Sequence, residues 1–178
     1  MAVLLEATSV IVRNAAIERI VQGDWARFEA IVPNRTGCSD GELSRVGFMH
    51  PDDAQAFVEA LERFGLTHWD AAGAALDFVV ADQRSGARGS CPWLEWSTVP
   101  TDSAGGHIRV VRLKGSTNPD YFTPNGWAYE GSLSQRGGSL EPGNARQFRF
   151  LRREGDSDVL VDLKTGHEVY VARARREV

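Results

Sequence analysis

Cysteine is scarce in this chain: Cys38 and Cys91 are the two among 178 residues. That is too few for a disulfide framework, so a reducing cytoplasm is the expected setting. Long apolar runs are missing too. No stretch approaches the roughly 20 consecutive apolar residues that cross a bilayer, so no membrane partner is expected. The opening "MAVLLEATSVIVRN" has no basic n-region and carries Glu6 inside its apolar run, unlike a secretory signal. Motifs for chemistry are equally absent. There is no CxxC, HxH or HExxH spacing for a metal, no GxSxG elbow, and no phosphate loop ending in Gly-Lys-Ser/Thr. No catalytic residue, metal or cofactor is therefore expected. Lysine is rare as well, with Lys114 and Lys164 the only two among 20 basic residues. A GC-rich coding sequence accounts for that bias as readily as a need for guanidinium, so it carries no function.

What is present begins with charge, a net −4 unevenly spread. Residues 1–80 hold twelve acids against six arginines, whereas 81–140 and 141–178 each hold one base in excess. An acidic front half repels a phosphate backbone, so nucleic acid is not an expected partner. It suits a basic protein, or simply keeps the chain soluble.

Hydrophobic patterning predicts an α+β fold. "AVLLEATSVIV" (2–12) reads as a first strand buried on both faces. Asn14 is placed to cap a short helix, "AAIERIV", ended by Gly23, and Asp24 to cap a second, "WARFEAIV", stopped by Pro33. "CSDGELSRVGFM" opens with turn residues and continues as a strand with Val46 and Phe48 on one face and Leu43 on the other. In "HPDDAQAFVEALERFGL", Pro51 fits the first helical position and Asp52 and Asp53 suit the positive end of the helix dipole. Ala54, Phe57, Val58, Leu61 and Phe64 trace one apolar stripe there, and Gly65 terminates it. "ALDFVVAD", "WLEWSTV" and "HIRVVRLKG" read as three further strands. The order β-α-α-β-α-β-β-β predicts a mixed or mostly antiparallel sheet with two to three helices on one face.

A single domain over 1–178 is expected, with its α+β core in 1–114. Residues 115–144, dense in Gly, Ser, Asn and Pro, read as a long connection with one short strand at "WAYEGSL". Residues 145–178 supply C-terminal strands around a "KTGH" hairpin turn, where Gly166 can take positive φ. Those strands either complete the first sheet or form a small one of their own.

Three groups of residues are candidates for contact. In "ADQRSGARGSCPWLEWS" (81–97), Arg84 and Arg88 flank small flexible residues and can grip an anion, with Trp93 or Trp96 as a wall. The alternative is a plain strand-to-strand loop. Cys91 precedes a strand, so no helix dipole lowers its pKa, and a small buried cysteine is the simpler reading. Second, Tyr121, Phe122, Trp127 and Tyr129 cluster among turn formers, as aromatic anchors of an interface do. Third, Asp52, Asp53, Glu59 and Glu62 belong to one acidic helix that can steer a basic partner.

The preferred expectation is a non-enzymatic protein-binding domain of bacterial type. A toxin-neutralising immunity protein acting by stoichiometric contact is its concrete form. The rival is a small-molecule enzyme or ligand-binding domain holding an anionic ligand near Arg84 and Arg88, with 115–144 as a lid. A homodimer through exposed strand edges is a third expectation.

Overall fold

The first apolar run does not make one strand. It divides into β1 (Ala2–Leu5) and β2 (Thr8–Arg13), which belong to different sheets. The break falls at Glu6 and Ala7, where Ala7 takes a φ of 53°, a strained value for a residue with a Cβ. Buried Gln83 holds this kink from both sides. Its Oε1 accepts from the Ala7 N–H at 3.1 Å, and its own N–H donates to the Ala7 carbonyl at 2.9 Å. The computed structural model describes residues 1–102, 105–136, 148–154, 157–163, 166 and 168–172.

β2 is the centre of a five-stranded antiparallel sheet in the order β3-β4-β2-β5-β6, made with β3 (Cys38–Ser39), β4 (Leu43–Phe48), β5 (Phe78–Asp82) and β6 (Gly86–Ala87). β1 belongs to a four-stranded sheet in the order β7-β8-β1-β9, with β7 (Leu94–Pro100), β8 (His107–Leu113) and β9 (Tyr121–Phe122). There β9 runs parallel to β1, and the other pairs are antiparallel. The expected α+β class holds, with the strands shared among several sheets.

Each strand's two faces meet different neighbours. Helices α1 (Asn14–Val21), α2 (Ala26–Glu29) and α3 (Pro51–Phe64) cover the outer face of the five-stranded sheet, packing Ile17, Phe28, Phe57 and Leu61 on Val10, Val12, Val46, Phe48 and Phe78. The inner face, with Ile11, Leu43 and Val79, meets Val3, Leu5, Leu94 and Val111 of the other sheet. The far side of that second sheet shows Ala2, Leu4, Ile108 and Val110, and Tyr121, Trp127 and Tyr129 lie over it. Each apolar face thus finds a cover, as a layered domain requires.

α3 has its causes in its own sequence: Pro51 starts it, Asp52 and Asp53 occupy its first turn, and Gly65 ends it at a φ of 106°. The Leu66 N–H then returns to the Leu61 carbonyl at 3.0 Å, closing the last turn. The caps expected for α1 and α2 are not formed. Asn14 is helical, and its amide bonds Ser39 and Ser44 across the sheet edge instead. Trp25, not Asp24, precedes α2, which stops at Glu29, short of the expected Val32.

The long connection differs from expectation. No strand forms at "WAYEGSL". β9 precedes it, and a four-residue helix α4 (Leu133–Arg136) overlaps its end. Residues 137–147 lie outside the described residues. At the C-terminal end, β10 (Phe148–Glu154), β11 (Ser157–Asp162) and β12 (Glu168–Ala172) form an antiparallel sheet of their own and do not complete the first. Gly166 takes the expected positive φ, 71°. Among the described residues no helix is long and apolar enough to cross a membrane.

One half-buried titratable group sets a pH response. The His68 ring stacks on Phe78 and on Trp69, with centroids 4.5 and 4.1 Å away, and its Nε2 has no hydrogen-bond partner. Burial lowers its pKa, with Glu62 opposing in part. A folded-state pKa below the unfolded value of about 6.5 contributes stability above that value. The contribution is lost as pH falls through the folded-state pKa. The denaturation midpoint should therefore drop between pH 7.5 and 5.5, and less steeply in His68→Phe. Equal slopes for the two proteins would show that His68 carries none of the effect.

Candidate functional site

The two main sheets share a core at one end and part at the other. Alternation along β7 puts Leu94, Trp96 and Thr98 on its inner face, and along β8 it puts Arg109 beside Val111. Leu94 and Val111 are buried against the five-stranded sheet, but that sheet ends in the two-residue β6. Trp96 therefore stays 41% exposed, and Thr98 and Arg109 are exposed with it. Together with Ser85, Gly86 and Cys91 they bound a cavity of about 670 Å³.

The hairpin between β5 and β6 shapes one wall. Asp82 Oδ1 accepts from the Arg84 and Ser85 N–H groups at 2.8 and 3.1 Å, so the stretch predicted as a loop turns tightly back on β5. Gly86, at a φ of 90°, lies under the Trp96 ring, where a Cβ would come within 3.1 Å of the indole. Arg109 Nη1 donates to the Arg84 carbonyl at 3.0 Å and ties the hairpin to β8. A smaller cavity of about 300 Å³ adjoins, sharing Thr98 and Arg109 and adding Gln83, Arg84, His107 and Ser134. Ser134 Oγ is shielded from solvent there with no hydrogen-bond partner.

The charge of this cleft is one-sided. Among the described residues, two guanidinium groups, an imidazole and several hydroxyls line the two cavities, and no carboxylate does. Cys91 is the one thiol in the lining, and burial pushes its pKa up to about 11. It stays protonated at neutral pH and is no nucleophile. Burial also raises the pKa of Cys38, and both thiols are free. Among the described residues no group of three or more His, Cys, Asp or Glu could hold a metal ion.

Of the four residues expected at an anion site, Arg84 and Trp96 reach the cleft. Arg88 is exposed and does not line it; its N–H pairs with the Val80 carbonyl at 2.8 Å. Trp93 leans into the core between the sheets, donating to the Ala75 carbonyl at 2.7 Å, with the Arg13 guanidinium 5.8 Å from its ring. His107, Arg109 and Thr98 were not singled out in the sequence. The i, i+2 spacing of His107 and Arg109 shows that they share a face, but nothing local says that this face is uncovered.

The aromatic cluster is divided. Tyr121, Trp127 and Tyr129 are half-buried over the second sheet, while Phe122 is 40% exposed. Glu6 secures the segment: its carboxylate accepts from Trp127 Nε1 at 3.1 Å and from the Ser134 N–H at 2.7 Å. Glu6→Ala should cost about 1–3 kcal/mol, the worth of charge-assisted hydrogen bonds and of the donors left behind. It should also open residues 121–136 to limited proteolysis. Unchanged cleavage would show that the rings hold the segment without Glu6.

On α3, Asp52, Glu59 and Glu62 are exposed and Asp53 is half-buried. Glu59 lies 4.0 Å from Arg63. Compared with known protein families, characterised proteins and solved structures, the chain matches none of them.

Proposed function

We propose that the protein binds a small anionic ligand carrying a planar ring, held in the cleft between the parted sheets. One observation carries this reading. Among the described residues, an exposed indole and two guanidinium groups line adjoining cavities, and no carboxylate joins them. Such a lining draws in negative charge, and a guanidinium fork matches a carboxylate or phosphate. Trp96 pairs with Val111, and Thr98 with Arg109, so ring and guanidinium are diagonal neighbours on one face. That places them roughly 7 Å apart at the Cβ atoms. An arylcarboxylate, with ring and charge a few bonds apart, suits this spacing.

Calorimetric titration with benzoate, indole-3-acetate and adenosine monophosphate tests the reading. Saturable binding that weakens at least tenfold in Trp96→Ala is expected. Failure of all three ligands at millimolar concentration would remove it. The two free thiols fit a reducing compartment such as the cytoplasm.

A second reading rests on α3, which carries Asp52, Asp53, Glu59 and Glu62 against one base of its own, Arg63. A basic protein partner, bound stoichiometrically as a bacterial immunity protein binds its toxin, would be steered by that surface. Exposed Phe122 supplies an apolar contact. Affinity for such a partner should fall steeply between low and high salt, and a flat response would rule out steering.

A further inference from the structure

The edges of the two main sheets are where main-chain groups lack a neighbouring strand. Three of the four edge strands, β3, β6 and β9, are two residues long, whereas β7 runs for seven, Leu94–Pro100. On its inner side β7 pairs with β8, and one hydrogen bond beyond each end of that ladder fixes its phase. The Lys114 N–H donates to the Trp93 carbonyl at 2.8 Å, and the Thr101 N–H to the Gly106 carbonyl at 2.9 Å. Bonding along an antiparallel pair alternates, so Glu95, Ser97 and Val99 turn their N–H and carbonyl groups to β8. Leu94, Trp96, Thr98 and Pro100 turn theirs to the outer edge.

At the ends of that edge the donors are spent or missing. The Leu94 N–H donates to the Cys91 carbonyl at 3.4 Å, and Pro100 has no N–H. In the middle, the N–H and carbonyl groups of Trp96 and Thr98 find no partner among the described residues, and both residues are exposed. An open edge of this kind is a template for another strand, which proteins commonly block with a charge or a proline. The span Trp96–Thr98 carries neither.

Such an edge can be its own complement. A two-fold axis at Ser97 sets Trp96 opposite the partner's Thr98, and Thr98 opposite the partner's Trp96. Each of these pairs exchanges two N–H···O bonds, which uses every free group of the two residues. Glu95 then falls opposite the partner's Val99, so the acids do not meet. The two Trp96 rings become diagonal neighbours on one face, with Cβ atoms roughly 7 Å apart. Each indole, 41% exposed in the single chain, gains cover from the other.

We propose that the protein forms a symmetric dimer by antiparallel pairing of β7 with β7 of a second copy. The pairing uses main-chain groups and stands whatever the cleft binds.

Sedimentation equilibrium of the full chain from about 5 to about 500 µM tests it. The mass should rise with concentration from one chain to two and stop there, because pairing consumes the edge. A single-chain mass throughout would overturn the proposal, as would growth past two chains. Amide hydrogen exchange at both ends of the range locates the contact. The Trp96 and Thr98 amides should exchange at least about tenfold more slowly in the concentrated sample, while the Ser97 amide, bonded to β8, changes little. A dimer in which Trp96 and Thr98 still exchange fast would have its interface elsewhere, and the assignment to β7 would be wrong. Thr98→Pro removes an outward N–H without touching the β8 ladder, so it should fold and stay a single chain over the same range. A folded variant that dimerises as tightly as the wild type would also defeat the proposal, and should the variant not fold, the exchange of the wild type decides.

Discussion

Gly47→Ala should lower the unfolding free energy by about 3 kcal/mol, far more than a methyl group ordinarily costs in a strand. Gly47 shares the inner face of β4 with Arg45, and a Cβ there would fall 2.7 Å from the Arg45 Cζ. The guanidinium would have to leave its place, and it is buried and fixed by three hydrogen bonds. Displacing it breaks those bonds and strands a charge, a loss of roughly 3–5 kcal/mol when a buried charge is uncoupled outright, less where the side chain can relax. Gly37 is the control. Its Cβ would meet only the Arg45 carbonyl, at 3.9 Å, so Gly37→Ala should change stability by no more than about 1 kcal/mol. Urea denaturation of both variants measures the difference. In an Arg45→Met background the Gly47→Ala penalty should shrink to about 1 kcal/mol or less, since the thioether bends away more readily. A penalty that persists there would assign the cost to the backbone and not to the arginine.

Arg109→Glu should abolish binding in the cleft, reducing affinity for an arylcarboxylate at least about 100-fold, or about 2.7 kcal/mol. The substitution removes one of the two guanidinium groups that described residues bring to the lining and puts a carboxylate in its place. The fold should tolerate it. Arg109 is exposed, and its side chain's one hydrogen bond among the described residues, to the Arg84 carbonyl, is worth about 1 kcal/mol. Calorimetry with wild type and variant reads the affinity, and a melting curve checks the fold. Equal affinities would move the ligand out of the cleft.

The parts of this molecule that the sequence reveals are those with local causes. α3 is written out in full: proline at its start, acids in the first turn, apolar residues at helical spacing, glycine in the left-handed region at its end. β4 shows Leu43 on one face and Val46 and Phe48 on the other, and the structure sends them to two separate cores. The division of the opening run is not visible in the same way. "AVLLEATSVIV" is apolar whether one sheet buries it or two. The residue that pins its kink, Gln83, is 76 positions further on.

The candidate sites follow the same rule. Trp96 and Arg84 stand out by residue type, and both reach the cleft. Their neighbours Trp93 and Arg88 are chemically alike, yet one joins the core and the other faces solvent. Arg45 reads as an ordinary strand position, because only stacked sheets make it a buried charge. Three rings of the aromatic cluster look free in a glycine- and proline-rich stretch, but they cover an apolar sheet face that local sequence does not reveal.

By itself, then, the sequence determined the α+β class, where most elements lie, the acidic front half and the absence of a catalytic signature. Turn chemistry, periodicity and formal charge act over a few residues, and composition adds up without regard to arrangement. Only the tertiary structure decided that one apolar run serves two sheets, that the sheets part over Trp96 and Arg109, and that Arg45 is enclosed. Burial depends on which surfaces are stacked, and here the stacked surfaces come from segments far apart in the chain.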